Sequence, residues 1–284
     1  MDARGLLRES VDALTAAGVP DARVDAELLL GHVLGASRGR VQSLEITGAD
    51  VDDPVVGRMR ALVARRATRE PLQHITGRAP FRSLELAVGP GVFVPRPETE
   101  QVAQFAIDAL RAVASDEPIA VDLGTGSGAI ALALATEVPH ARVYAVERSP
   151  DAHAWAARNF AETGAGNATL VLGDLADALP ELDGTVSLVA SNPPYIPRGA
   201  VPRDAEVRLY DPELALYGGE DGLDVVRALS ARAARLLHPG GTLVLEHGEL
   251  QGAAIRELLR ADGWRAVATH RDYTTRDRAT VALR

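Results

Sequence analysis

No cysteine occurs in the 284 residues, and no lysine either, so all 30 basic residues are arginine. The first absence removes disulfides, thiolate nucleophiles and Cys-ligated zinc. The second removes a Walker A lysine and any Schiff-base chemistry on this chain. The seven histidines are scattered, with no pair at H-x-x-x-H spacing, so no metal is expected. Nowhere do 18 apolar residues follow one another, and the start, MDARGLLRESVDAL, carries acids and helical periodicity where a signal peptide has a basic end and an apolar core. A soluble, cytoplasmic protein with no membrane partner is expected.

What is present is an ordinary core-forming composition, 46% apolar, with a net charge of −9 that is unevenly placed. Residues 1 to 95 hold 12 arginines against 12 acids, and residues 96 to 284 hold 18 against 27. A domain made for a phosphate backbone would carry the opposite sign, so a protein or small-molecule partner is expected and no nucleic acid is required. Arg65, Arg66 and Arg69 form a local basic cluster that could still meet RNA.

The first part reads as a small helical module, residues 1 to 72. Leu6, Leu7, Val11 and Leu14 share one helical face and Gly18 ends it, Asp21 can cap a helix that stops at Gly35, and a third helix starts after Asp53 with Pro54 in its first turn. Over residues 73 to 97 the runs QHITG, FRSLELAV and GVFVP are short, β-branched or alternating and separated by Gly and Pro, which predicts a β-hairpin connector. From 98 to 284 helical and strand patterns alternate and end in a closing hairpin. That order predicts an α/β domain with a doubly wound, parallel sheet, whose ligands bind at the C-terminal strand ends.

Four loops lie at such ends. Asp122-Leu-Gly124-Thr125-Gly126-Ser127-Gly128 joins a strand to a helix, where glycines let the backbone turn tightly and approach a ligand. Glu147 ends the next strand and can take two ribose hydroxyls. These features alone do not separate a dinucleotide from S-adenosylmethionine. Asp122 would repel a pyrophosphate but could hold an ammonium or order its waters, and Asp174, followed by Leu175, could accept from an adenine amino group. Acid-rich loops suit a cationic sulfonium ligand. The fourth loop, Asn192-Pro193-Pro194-Tyr195, halts a good strand with one amide and two prolines, so its tip is stiff. An amide or exocyclic amine nitrogen is a poor nucleophile because its lone pair is delocalised. The Asn192 side-chain carbonyl and the Pro193 backbone carbonyl could accept both its N–H groups and aim the lone pair, with Tyr195 as an apolar wall and π face near the sulfonium. Of the remaining polar and aromatic groups, His247 and Glu249 read as a solvated loop, and Trp155 and Trp264 as packing.

FVPRPETE (93 to 100), VDLGTGSGAIALALA (121 to 135), SNPPYIP (191 to 197) and YDPELALYGGEDGLD (210 to 224) together resemble the PrmC/HemK family, the protein-(glutamine-N5) methyltransferases of peptide chain release factors. The likeness spans residues 71 to about 252. It implies a class I, Rossmann-like, S-adenosylmethionine-dependent methyltransferase domain and methyl transfer to the glutamine of the Gly-Gly-Gln motif in class 1 release factors, by a monomer. It also implies that Gly124 to Gly128 bind the methionine part and Glu147 the ribose, that Asp174 and Leu175 flank the adenine, that Asn192 and Pro193 hold the glutamine amide, and that Arg96 and Glu98 line the pocket near the cofactor. Many relatives have Asp where Glu147 stands and an aromatic at Leu175, so adenine stacking is expected to be weaker here, and many have Tyr at His74, where the connector is expected to take part in substrate docking. The Asn-Pro-Pro-Tyr motif is shared with DNA and RNA amine methyltransferases, which makes an exocyclic-amine methyltransferase of DNA or rRNA the alternative.

Overall fold

The computed structural model describes all 284 residues, which divide into two compact units. The first comprises Met1–Arg78 and Pro202–Tyr210, and the second Ala79–Val201 and Asp211–Arg284. No helix is long and apolar enough to cross a membrane.

In the first unit, helices α1 (Ala3–Ala16), α2 (Ala22–Leu34), α3 (Arg38–Thr47), α4 (Asp53–Ala67) and α5 (Leu72–Thr76) enclose a core of Leu6, Leu7, Leu14, Leu29, Leu30, Val41 and Met59. Asp2 caps α1 by accepting from the Gly5 N–H at 2.7 Å, which satisfies one of the free donors of a helix start. Gly35 closes α2 at φ 63°, a left-handed turn that costs glycine little. Asp21 precedes α2 but makes no side-chain cap bond, and neither does Asp52, which precedes α4 one residue earlier than the sequence suggested. Helix α3 has no counterpart in the sequence reading. Only Val41 of its ten residues is buried, so it carries almost no periodic signal. QHITG, expected as extended connector, folds as α5 and stops at Gly77, with Ile75 turned into the helical core.

The arginine cluster is spent inside this unit. Arg65 pairs with Glu70, while Arg66, its side chain only 7% exposed, pairs with Asp25 at 2.7 Å and with Glu206 at 2.8 Å. Arg69 holds the other oxygen of Glu206 at 2.6 Å. Burial pushes the Glu206 carboxyl up, but the Arg69 and Arg66 guanidiniums outweigh it and hold it down at about 2. These bonds explain why Pro202–Tyr210, expected within a single domain of residues 98 to 284, groups with the helices instead.

The second unit starts with a hairpin, β1 (Arg78–Phe81) and β2 (Leu84–Ala87). GVFVP is not a strand. Val92 and Val94 are buried in a loop with Val88 and Ala152, and Trp155 packs on it and donates to the Pro90 carbonyl at 3.1 Å. The connector of residues 73 to 97 is thus a helix, a hairpin and a loop in succession, and Pro97 opens the next helix. There follow α6 (Pro97–Arg111), β3 (Ile119–Leu123), α7 (Ala129–Glu137), β4 (Arg142–Glu147), α8 (Pro150–Thr163), β5 (Ala168–Leu172) and β6 (Val186–Ser191). Then come α9 (Ala205–Tyr210, in the first unit), α10 (Glu213–Leu216), α11 (Asp224–Leu236), β7 (Leu237–Glu246), α12 (Gly252–Ala261), β8 (Arg265–Arg271) and β9 (Asp277–Leu283).

The seven strands of the main sheet lie in the order β5-β4-β3-β6-β7-β9-β8. Five are parallel, and β9 inserts antiparallel between β7 and β8, so the closing hairpin completes the sheet. Helices cover both faces. Val102, Ala106, Leu110 and the apolar run Ala129 to Ala135 of α7 pack on one, and Val226, Leu229, Leu236, Ile255 and Leu259 on the other. From β3 the chain builds outward through β4 and β5, then returns to the other side of β3 with β6. That reversal leaves a crevice at the C-terminal ends of β3 and β6, where open α/β sheets bind ligands.

Arg66→Ala is expected to destabilise the protein by about 3–5 kcal/mol in urea unfolding, because it strands the shielded Asp25 carboxylate and leaves Glu206 to Arg69 alone. Arg66→Met, which refills the space, still loses the pairing and should fall between the two.

Candidate active site

Asp122, the fourth residue of the fully buried strand β3, is itself buried, and one of its oxygens organises the loop that follows. Oδ2 accepts from the Thr125 hydroxyl at 2.6 Å and from the Ala131 N–H, in the first turn of α7, at 3.0 Å. Oδ1 has no partner. Burial pushes the carboxyl up to about 7 against the pull of these two bonds. Gly124 and Gly126 sit at φ 75° and 58°, and a Cβ at either would meet nothing within 4 Å, so the loop edge is open at both. Thr125 and Ser127 turn inward and are buried, and Gly128 caps α7 at φ 89° with no room for a side chain beside Phe160. The loop is pinned at two further points. The Gly124 and Thr125 N–H groups both donate to the Val146 carbonyl at 2.9 Å, and Gly126 N–H donates to Glu147 Oε2 at 2.8 Å.

Glu147 is buried at the end of β4, its Oε1 accepting from Ser149 N–H at 2.8 Å. Each carboxylate oxygen keeps a lone pair that could take a ribose hydroxyl. Past β5, Asp174 is exposed and weakly paired with Arg148 at 3.5 Å, and Leu175 is half-buried on the core of the second sheet face. The glycine loop, Glu147, Asp174 and Leu175 therefore follow three adjacent strands, β3, β4 and β5. This is a donor and acceptor set that fits a nucleoside with a cationic tail. No cluster of His, Asp or Glu is set to hold a metal ion.

Asn192, Pro193, Pro194 and Tyr195 leave β6, the inner strand next to β3. Ser191 ties that end down by donating to the Leu123 carbonyl at 2.6 Å. Asn192 is half-buried and donates through Nδ2 to Thr99 Oγ1 at 3.3 Å, while its Oδ1 makes no bond within the protein. The Pro193 carbonyl has no protein partner either. Beyond them the chain is clamped. Ile196 N–H donates to Leu216 O at 2.9 Å, Gly218 N–H to Ile196 O at 2.9 Å and Arg198 N–H to Gly219 O at 2.8 Å, and Gln251 Nε2 donates to Tyr195 O at 2.8 Å. The glycines of GGEDGL have a reason here. A Cβ at Gly218 would lie 2.5 Å from Pro194 O, and one at Gly222 2.3 Å from Tyr195 O.

Arg96, which the family resemblance places in the pocket near the cofactor, is held by contacts within the protein. It binds the buried Asp211 at 2.5 Å and stacks over Phe93 at 4.8 Å, joining the PRPETE segment to the YDPELA segment. Thr99, Glu246 and Asn159 escaped the sequence reading. Asn159 spans 72 residues of chain to bond Ala87 N–H at 2.6 Å and Ala87 O at 3.0 Å, and it also reaches Ser127 O at 2.8 Å. His247, expected in a solvated loop, is fully buried. One ring nitrogen lies 2.9 Å from Thr280 Oγ1 and the other 2.9 Å from Gly248 O, because β9 covers it. Burial lowers its affinity for a proton. Trp264 is core, its Nε1 donating to Ser230 at 2.9 Å.

Fold and site together define a class I S-adenosylmethionine-dependent methyltransferase, and the comparisons agree. The PrmC N-terminal domain model matches residues 5–77 and a methyltransferase domain model residues 120–202. The release factor glutamine methyltransferase of Streptomyces coelicolor is 51% identical, over 96% of this chain and 95% of its own. A 4-amino-L-phenylalanine/4-methylamino-L-phenylalanine methyltransferase of Streptomyces pristinaespiralis is 43% identical, over 98% of this chain and 94% of its own. The structure of the T. thermophilus 16S rRNA N2 G1207 methyltransferase superposes with a TM-score of 0.53 at 24% identity, over 73% of this chain and 49% of that one, a likeness of fold. The chain belongs to the release factor glutamine methyltransferase family.

Two outcomes follow from this geometry. Asp122→Asn keeps an acceptor for Thr125 and Ala131 but cannot ionise. The native carboxyl has a raised folded pKa, so it costs stability progressively from about pH 4 to about pH 7. The melting temperature of Asp122→Asn relative to the native protein should therefore rise over that interval and level off above it. Gly218→Ala forces the Pro194 carbonyl to move and should lower methyl transfer at least about tenfold, with cofactor affinity retained in titration calorimetry.

Proposed function

We propose that this chain transfers the methyl group of S-adenosylmethionine to the side-chain amide nitrogen, N5, of the glutamine in the Gly-Gly-Gln motif of class 1 peptide chain release factors, acting in the cytoplasm as a monomer. The observation that carries the reading is the Asn192 tip. An amide tied down through its nitrogen keeps its carbonyl oxygen for the substrate, on a strand end stiffened by two prolines and clamped from behind.

S-adenosylmethionine supplies an electrophilic methyl on a positively charged sulfur. Gly124, Thr125, Gly126, Ser127 and Gly128 would bind its methionine part, with Asp122 beneath them. Glu147 would take the ribose hydroxyls, and Asp174 and Leu175 would flank the adenine. Asn192 Oδ1 and Pro193 O would accept the two N–H groups of the substrate amide, turning its plane so that the nitrogen lone pair faces the methyl carbon. Pro194 fixes the direction of the tip, and Tyr195 forms a wall against the transferring group. Burial pushes the Tyr195 hydroxyl up to about 12, so it stays neutral at physiological pH and is no base. None is required, since the methylated nitrogen gives up its proton to water readily. Arg96, bound to Asp211, would line the pocket near the cofactor.

The Streptomyces pristinaespiralis relative supports a second reading, an aromatic amine on a small molecule, since an aniline nitrogen has the same delocalised lone pair. A nucleic-acid amine is disfavoured by the surplus of acids from residue 96 onward.

Mass spectrometry of a release factor after incubation with the protein and S-adenosylmethionine should show a gain of one methyl on the Gly-Gly-Gln peptide. The gain should vanish when that Gln is replaced by Ala and with Asn192→Ala, which should still bind cofactor. Transfer instead to 4-amino-L-phenylalanine, or to RNA, would replace the proposal.

A further inference from the structure

The Asn192 amide can present either its oxygen or its nitrogen to a substrate, because a half-turn exchanges two groups of almost equal size. Only the oxygen accepts an N–H. Something in the protein has to select it, and the nearest group is Thr99, on the first turn of α6, whose Oγ1 takes the Nδ2 bond at 3.3 Å. A hydroxyl has one proton, and whether it donates or accepts toward Asn192 depends on where that proton goes.

Glu246 settles the direction. The last paired residues of β6 and β7 are Ser191 and Leu245, so Asn192 and Glu246 leave adjacent strands one residue further on, at the same level. Glu246 is buried within reach of the Thr99 hydroxyl, which favours its ionised form, and its Oε2 has no partner. When the carboxylate is ionised it takes the Thr99 proton, Thr99 Oγ1 can only accept from Asn192, and Oδ1 is left for the substrate. When Glu246 is protonated it can donate to Thr99, which frees the Thr99 proton for Asn192 Oδ1 and allows the amide to turn the wrong way. The groups facing Glu246 are Arg278 of β9, Glu98 of α6, Arg96 before it and Tyr195 of the tip.

We infer that Thr99 and Glu246 are positioning residues that set the polarity of the Asn192 amide, an inference that rests on the reading of Asn192 as the acceptor of substrate N–H groups. Neither touches substrate. Burial raises the Glu246 carboxyl to about 7, so the relay changes state near neutrality.

The test uses the full chain and three variants. T99V keeps shape and burial but removes the hydroxyl, T99S restores the hydroxyl, and E246Q replaces the carboxylate with an amide that cannot ionise. Expected are a fall of about tenfold to a hundredfold in kcat for T99V and E246Q with cofactor Kd unchanged, substantial recovery in T99S relative to T99V, and a kcat that rises with pH through about 7 in the native protein but not in E246Q. T99V at more than half the native kcat, or T99S as impaired as T99V, overturns the inference, the second outcome indicating packing alone. A second measurement needs no turnover: the Asn192 side-chain amide signals in ¹⁵N-edited NMR spectra, assigned by their loss in Asn192→Asp. They should titrate near pH 7 in the native protein and stay fixed in E246Q, and native signals that do not move between pH 5.5 and 8.5 also overturn it. A native protein that methylates no release factor defeats the proposed function, whereas native turnover with indifferent variants defeats only the relay.

Discussion

Strand β3 is buried along its whole length, and its two neighbours run parallel to it, β4 on one side and β6 on the other. Parallel strands in register must all end at the same side, so four loops with quite different sequences emerge together. Everything the site needs is a consequence of that constraint. The glycine loop follows β3, Glu147 closes β4, Asp174 follows β5 and Asn192 follows β6. None of these residues is close to another in the chain, yet the register of the sheet alone brings the glycine loop and the Asn192 tip out of adjacent strands.

Holding so many polar groups at one sheet edge creates an electrostatic load that the fold has to carry. Asp122 and Glu246 are both buried, each has one unpartnered oxygen, and burial raises both carboxyls toward neutrality. Each lies beside a threonine hydroxyl, Thr125 bonded to Asp122 at 2.6 Å and Thr99 next to Glu246. The same pairing, a buried acid beside a hydroxyl, thus recurs near the ends of two strands, β3 and β7. Such groups are kept against their cost to stability because they orient other groups.

The sequence was most legible where local rules and tertiary demands agree. The alternation of strand and helix from residue 98, the glycine loop and the proline-stiffened tip all follow from period, turn chemistry and strand-end placement, which neighbours in space cannot easily override. Legibility failed where burial is decided from a distance. QHITG has β-branched residues but is held as a helix by Ile75 entering the helical core, and GVFVP is apolar because a loop is buried, not because it is a strand. Helix α3 hides only one side chain, so its apolar period is nearly absent. His247 looked like part of a solvated loop, and only the insertion of β9 beside β7 makes it interior. Thr99 sat unnoticed in a motif quoted for its charges, since nothing in PRPETE reveals that its one hydroxyl faces the strand ends.

Asn159 gives the second unit a mechanical linkage. Its single amide grips both backbone groups of Ala87, at the end of the hairpin, and the carbonyl of Ser127, in the middle of the glycine loop. Two buried points 40 residues apart in the chain are thereby fastened to one side chain on α8. The hairpin end cannot shift relative to the glycine loop unless the Asn159 amide breaks one of its three bonds, so the position of the one is tied to the position of the other.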